Sequence, residues 1–124
     1  MIKLNSKQKQ LIENNALALA TINKDGSPHV IAVGYCKVVV GNRILATDNY
    51  MRQTTKNILE NNSAAAAVWN SGWQTKCEGY EFSGKGEYFT KGKWFEQVRS
   101  LKENRGEPCR GAILITVNKI KRLA

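Results

Sequence analysis

The sequence predicts a mainly β, α+β domain in which six antiparallel strands form a barrel with about three helices packed outside it. Three observations lead there. The turn signals "KDGS" at 24–27 and "GN" at 41–42 each join apolar segments, so the first half of the chain is a run of hairpins, not βαβ units. The segment "CEGYEFSGKGEYFT" alternates with period two and carries Gly79, Gly84 and Gly86, positions suited to the bulges and coiling of a small barrel. Helical spacing is confined to three short stretches separated by strands.

Taken in order, "NSKQKQLIENN" is a first helix with Leu11 and Ile12 inward, and "ALALATIN" a buried strand. "PHVIAVGYCKVVV" reads as one long second strand, turned by Gly41-Asn42 into "RILAT". A second helix follows, with Met51, Thr54, Ile58 and Leu59 on its inner face, Asp48 or Asn49 as its cap and Asn61-Asn62 as its end. "SAAAAVWN" is a strand whose four small alanines allow close approach of another surface. In the glycine-rich strand Tyr80, Phe82 and Tyr88 share one face, with Glu81, Ser83, Lys85 and Glu87 on the other. "KWFEQVRSLKEN" places Trp94, Phe95, Val98 and Leu101 at helical spacing, and "GAILITVNKIKRL" is the last strand.

At 124 residues, 42% of them hydrophobic, the chain is expected to be a single domain, 1–124. No apolar run approaches a membrane span and the N-terminus has no signal-peptide core, so a cytoplasmic protein is expected. Cys36, Cys77 and Cys109 are too far apart in sequence for a disulfide framework or a zinc site and read as free thiols; no metal site is expected. The net charge of +9 allows an anionic partner, but the lysines are spread from Lys3 to Lys121 without an arginine-rich run or an RNA-binding aromatic signature.

Residues 46–62, "ATDNYMRQTTKNILENN", pose a question. A helix N-terminus carries partial positive charge and favours acidic neighbours, yet the first turn here holds Arg52, Gln53, Thr54, Thr55 and Lys56. Such a turn suits an anion: free N–H groups, a planar guanidinium, two hydroxyls and a mobile ammonium would together bind a phosphate. On this stretch alone, a capped surface helix with solvated cations is the slightly simpler reading. Side chains for catalysis are scarce. His29 is the only histidine, and there is no dinucleotide or P-loop glycine pattern, so any chemistry must come from a cofactor. Trp69 and Trp73, in the polar turn "WNSGWQ", belong to a ligand lip or a subunit interface.

The order of these pieces resembles the pyridoxamine 5′-phosphate oxidase-like, FMN-binding split β-barrel family. The resemblance is carried by "ALATINKDGSPHVIAVGY", then "GNRILATDNYMRQTTKNILENNSAAAAVW", then "FSGKGEYF", with Ser63 where the family has a proline. It implies a Greek-key split barrel, non-covalently bound FMN, and a homodimer with FMN at its interface; residues near Trp73 or Glu81 would then complete the neighbour's site. By the same resemblance, Met51, Arg52, Gln53, Thr54 and Lys56 match the phosphate segment. Ile31, Ala32, Val33, Gly34 and Tyr35 match the strand along the isoalloxazine ring, and Ala46, Thr47 and Asp48 match the strand end in the same pocket. The flavin itself would be the catalytic group, in a flavin reductase or an electron carrier whose donor and acceptor are unknown. The C-terminal substrate-gripping arginine of true pyridoxamine phosphate oxidases and the histidine-bearing segments of haem-degrading relatives have no match, so neither activity is expected; deazaflavin binding remains open. The alternatives are a cofactor-free basic barrel that binds nucleic acid and a B6-phosphate-binding protein.

Overall fold

The computed structural model describes residues 2–124. Asn5 opens the first helix with a capping box: its side chain accepts from the Gln8 amide at 2.8 Å, and the Gln8 side chain accepts from the Asn5 amide at 3.0 Å. The helix, α1 (Ser6–Asn14), buries Leu11 and Ile12. Two hairpins follow. The first pairs β1 (Leu17–Ile22) with β2 (Pro28–Val33), and the second pairs β3 (Cys36–Val39) with β4 (Arg43–Asp48). Then come α2 (Arg52–Glu60), β5 (Ser63–Trp69), β6 (Gly79–Phe89), α3 (Lys93–Arg99), a single 3-10 turn at Lys102–Asn104, and β7 (Gly111–Arg122).

All seven strands form one antiparallel sheet in the order β2-β1-β5-β6-β7-β4-β3. β5, β6 and β7 are a meander, and β4, reaching β5 through α2, returns beside β7; this is a Greek key. The sheet curls so that β2 and β3, its two edges, follow each other in the chain across Gly34 and Tyr35 but share no ladder. One expectation is corrected here. Among the described residues there are seven strands, not six, because the long second strand breaks at Gly34-Tyr35, and the barrel is split along that break, as the family resemblance implies. Residues before the break pair with β1 and residues after it pair with β4, on the far edge of the sheet.

Glycine 84 shows how tightly the curl is drawn. The β6–β7 register slips between Ser83 and Gly84, with Ser83 opposite Lys119 and Gly84 opposite Val117, leaving Asn118 as a bulge. A Cβ at Gly84 would lie 1.8 Å from the Thr116 carbonyl oxygen, so only glycine lets the strands approach this closely. Inside the curl lie Leu19, Ile44, Val68, Phe82, Ile113 and Ile115, all nearly inaccessible. On the outer face α3 covers β4 and β7, where Val98 packs with Leu45, Ala112 and Leu114. β4 is therefore covered on both faces.

α2 packs against β1 and β6 through the stripe Thr54, Asn57 and Ile58, whose spacing is that of one helix face. Ile58 meets Gly86, where an added Cβ would stand 3.3 Å from its Cδ1. Asn57 Nδ2 donates to Thr21 Oγ1 at 3.0 Å and to Asn23 Oδ1 at 2.9 Å, tying the helix to β1 and its turn. Leu59, expected on the inner face, is 69% exposed, because the buried stripe runs through Asn57 instead.

Candidate cofactor site

Where the sheet splits, a cavity of about 640 Å³ opens, within the roughly 300–1,000 Å³ typical of small-molecule sites. One wall is the run Ile31, Ala32, Val33, Gly34 and Tyr35, at the end of β2 and across the break. Another comes from Thr47, at the end of β4, and from Asn49, Tyr50 and Met51, which lead into α2. Glu103, Asn104 and Arg105, in the loop before β7, complete the lining. Beyond the Gly34 α-carbon nothing lies within 4 Å of where a Cβ would stand, so the chain leaves room for a flat group.

Of the sequence-predicted site residues, Ile31 to Tyr35, Thr47 and Met51 line this cavity. Ala46 and Asp48 do not. Ala46 is 2% exposed and belongs to the core, and the buried Asp48 carboxylate is turned to its own neighbours. Its Oδ1 accepts from the Met51 amide at 2.7 Å; its Oδ2 accepts from Tyr88 Oη at 2.6 Å and from Thr55 Oγ1 at 3.1 Å. The charge question of 46–62 is answered by this arrangement. The acid that a helix start favours is supplied from the strand end, three residues before the Met51 N-cap position. Burial, and next the hydrogen bond to Asp48, push the Tyr88 phenol up to about 12.

Arg52, Gln53, Thr54 and Lys56 stand beyond the cavity lining, on the first turns of α2. The Arg52, Gln53 and Lys56 side chains are exposed. Thr54 is 1% exposed, and its Oγ1 has no hydrogen-bond partner. The amides of Gln53 and Thr54 likewise have no partner among the described residues, while the Met51 amide is taken by Asp48 and that of Thr55 by the Met51 carbonyl. Two free backbone donors, an orphaned hydroxyl and two cations thus sit at one helix start, and Met51 joins that start to the cavity. These groups fit a phosphate.

Cys36 does not line the cavity; it is buried, and burial pushes its thiol up to about 12, which leaves it unreactive. Burial, with Glu103 and Glu13 nearby, pushes the Tyr35 phenol up. Sequence reading missed Asn49, Tyr50, Glu103, Asn104 and Arg105. The last three lie about 70 residues downstream of β2, and their only local signal is the turn chemistry of "NRGEP". Among the described residues no group of three or more His, Cys, Asp or Glu side chains is arranged to hold a metal ion, and no helix is long and apolar enough to cross a membrane.

A seven-stranded split half-barrel with a cavity at its seam and free amides at the adjoining helix start defines the split-barrel class of small domains. Comparison with known proteins gives the family. Residues 4–123 match the sequence model of pyridoxamine 5′-phosphate oxidase, and the chain belongs to that family. An uncharacterised protein of Methanocaldococcus jannaschii is 32% identical over 128 residues, covering 99% of this chain and 83% of the relative. Among solved structures, HupZ of group A Streptococcus superposes with a TM-score of 0.87 at 23% identity, over 97% of this chain and 94% of that one. An FMN-binding protein of Syntrophomonas wolfei superposes at 0.82 with 14% identity, over 94% and 83%. These two structural likenesses establish the fold.

Proposed function

We propose that this protein is a non-covalent FMN-binding flavoprotein working in redox, as a flavin reductase or an electron carrier. The observation that carries the reading is the continuity of two features: a seam cavity walled by Ile31 to Tyr35, and a helix start with the free amides of Gln53 and Thr54. FMN, when bound, supplies the electron chemistry. The polypeptide does the rest. Arg52, Lys56, the Thr54 hydroxyl and the two amides hold the phosphate, the run from Ile31 to Tyr35 seats the ring, and the buried strands beneath keep water from its inner face. Asp48 fixes the helix start without touching the ligand, and its charge makes the nearby cations necessary for anion binding.

The protein acts as a homodimer, and free thiols at Cys36, Cys77 and Cys109 suit the reducing cytoplasm. The second copy covers the outer face of β2, β1 and β5. There Ala18 stands opposite Ala32 and Ala67, and Ala20 opposite Val30 and Ala65, a flat patch of small apolar side chains. Val30 is 63% and Trp69 45% exposed at this patch, and Ile31 and Ala32 are shared between it and the cofactor cavity.

The test is the absorption spectrum of purified protein, identification of what denaturation releases, and titration with FMN and with riboflavin. FMN is expected to bind at least tenfold more tightly than riboflavin, since the phosphate adds charge-assisted hydrogen bonds worth about 1.5–3 kcal/mol each. Replacing both Arg52 and Thr54 by Ala should remove most of that preference and leave riboflavin binding unchanged. Equal affinity for the two flavins in the unaltered protein rules the phosphate site out.

A further inference from the structure

The third wall of the cavity is a loop, from Leu101 to Pro108, and it is fastened at both ends. At the α3 end, Asn104 Nδ2 donates to the Val98 carbonyl at 2.7 Å. At the other end, the Tyr50 hydroxyl donates to the Glu107 carboxylate, and Asn49 Nδ2 donates to the Pro108 carbonyl at 2.8 Å. Asn49 and Tyr50 are themselves cavity residues, so the loop is tied directly to the wall that faces it.

Between these ties Arg105 adopts φ +49, ψ +41, the left-handed conformation, and Gly106 follows at φ +81. A side chain at such a position is strained, and a turn with no other duty is served better by Gly or Asn. Arg105 lines the cavity, its side chain is exposed, and its guanidinium has neither an ion pair nor a hydrogen bond among the described residues. Glu103 bears on Tyr35, which puts the start of the loop beside the β2–β3 break. The cations at the α2 start, Arg52 and Lys56, are on a different element and already serve the phosphate. Arg105 is thus a second positive charge, on a different element from Arg52 and Lys56, and it shares its wall of the cavity with the Glu103 carboxylate.

Building on the FMN reading above, we propose that Arg105 is a positioning residue that makes the cavity prefer a flavin ring carrying the negative charge of its reduced state over the neutral oxidised ring. A cation beside a partly dehydrated ring interacts with that charge more strongly than it would in water. The loop, clipped to Asn49 and Tyr50 through Pro108 and Glu107, keeps the Arg105 backbone at the cavity wall.

The experiment is a redox titration of the FMN complex against a reference dye, with oxidised FMN and riboflavin affinities measured alongside, for the unaltered protein and for Arg105→Ala, Arg105→Lys and Arg105→Gly. The Ala and Gly variants are expected to lower the ratio of reduced to oxidised FMN affinity about tenfold, a fall of about 30 mV for a two-electron couple. The Lys variant should keep most of the ratio. The Gly variant relieves the left-handed strain, so its unfolding temperature should not fall, which separates the charge effect from a structural one. An unchanged ratio in both Ala and Gly overturns the proposal. So does an equal loss of oxidised and reduced FMN affinity with riboflavin unaffected, which would make Arg105 a phosphate ligand. Failure of the unaltered protein to bind FMN would overturn the FMN reading itself, before any variant is compared.

Discussion

Asp48 is the residue on which the site's surroundings turn. Its carboxylate joins the end of β4, the start of α2 and the end of β6, through Met51, Thr55 and Tyr88. Gly111 is bound up with the same cluster, because a Cβ there would stand 2.4 Å from the Tyr88 ring. The pH dependence follows from Tyr88. Its pKa in the folded protein, about 12, lies above the ordinary value of 10.0, so its contribution is complete below pH 10 and is lost as pH rises towards 12. Tyr88→Phe should therefore flatten the fall in stability between pH 10 and 12, measured by urea unfolding at a series of pH values; an unaltered slope would contradict the Asp48–Tyr88 bond. The sequence made the lack of acid in the first turn visible but not where the acid comes from. That depends on the backbone at Met51, φ −87 and ψ +68, which turns the chain so that a strand-end carboxylate reaches the helix amides. No spacing rule contains that angle.

Among the elements, α2 links the barrel to the turn proposed to bind phosphate, and its position depends on Ile58 and Asn57. Ile58 is 4% exposed and seated against Gly86, so Ile58→Ala should cost about 2–5 kcal/mol of unfolding free energy and weaken FMN binding as the helix start loosens. Leu59→Gln, at an exposed position one residue on, should change neither by more than about 0.5 kcal/mol. Comparable losses from both in chemical denaturation would mean that the helix is rotated. Helix periodicity alone had put Leu59 inward, since an apolar residue beside Ile58 fits a broad hydrophobic stripe. The polar Asn57 took that place because Thr21 and Asn23 satisfy its amide, a tertiary arrangement that no local pattern encodes. The hairpins were legible from Asp25-Gly26 and Gly41, whose turn chemistry is local. The break at Gly34-Tyr35 was not, since apolar residues continue on both sides and Gly34 alone does not separate a break from a bulge.

At the scale of the whole molecule, the +9 charge is largely unneutralised. Among the described residues the ion pairs are Lys7–Glu78 and Arg99–Glu96, both at the surface. The alanine face of β1, β2 and β5 stands apart from this charged surface, and in the proposed homodimer a second copy would bury it. Ala20→Glu should give a monomer in sedimentation velocity and weaken FMN retention, because the face adjoins the cavity through Ile31 and Ala32. A dimer that survives this substitution would put the contact on another surface. The barrel and its helices were readable in the sequence from alternation and turns, and the run from Ile31 to Tyr35 from family likeness. The far wall was beyond reach, because closing the sheet brings residues 103–105 to residues 31–35 from the other end of the chain.

The two strands flanking the seam are protected unequally. On β3, the Glu13 side chain from α1 accepts from the Val38 amide at 2.8 Å and occupies the exposed edge. On β2 no side chain among the described residues does the same, and Val30 is 63% exposed. A bare strand edge is a template onto which another polypeptide can add. If the proposed flavin fills the seam, it therefore also acts as a guard against clumping, and a preparation without it would owe its shelf life to the Glu13 side chain on the opposite lip.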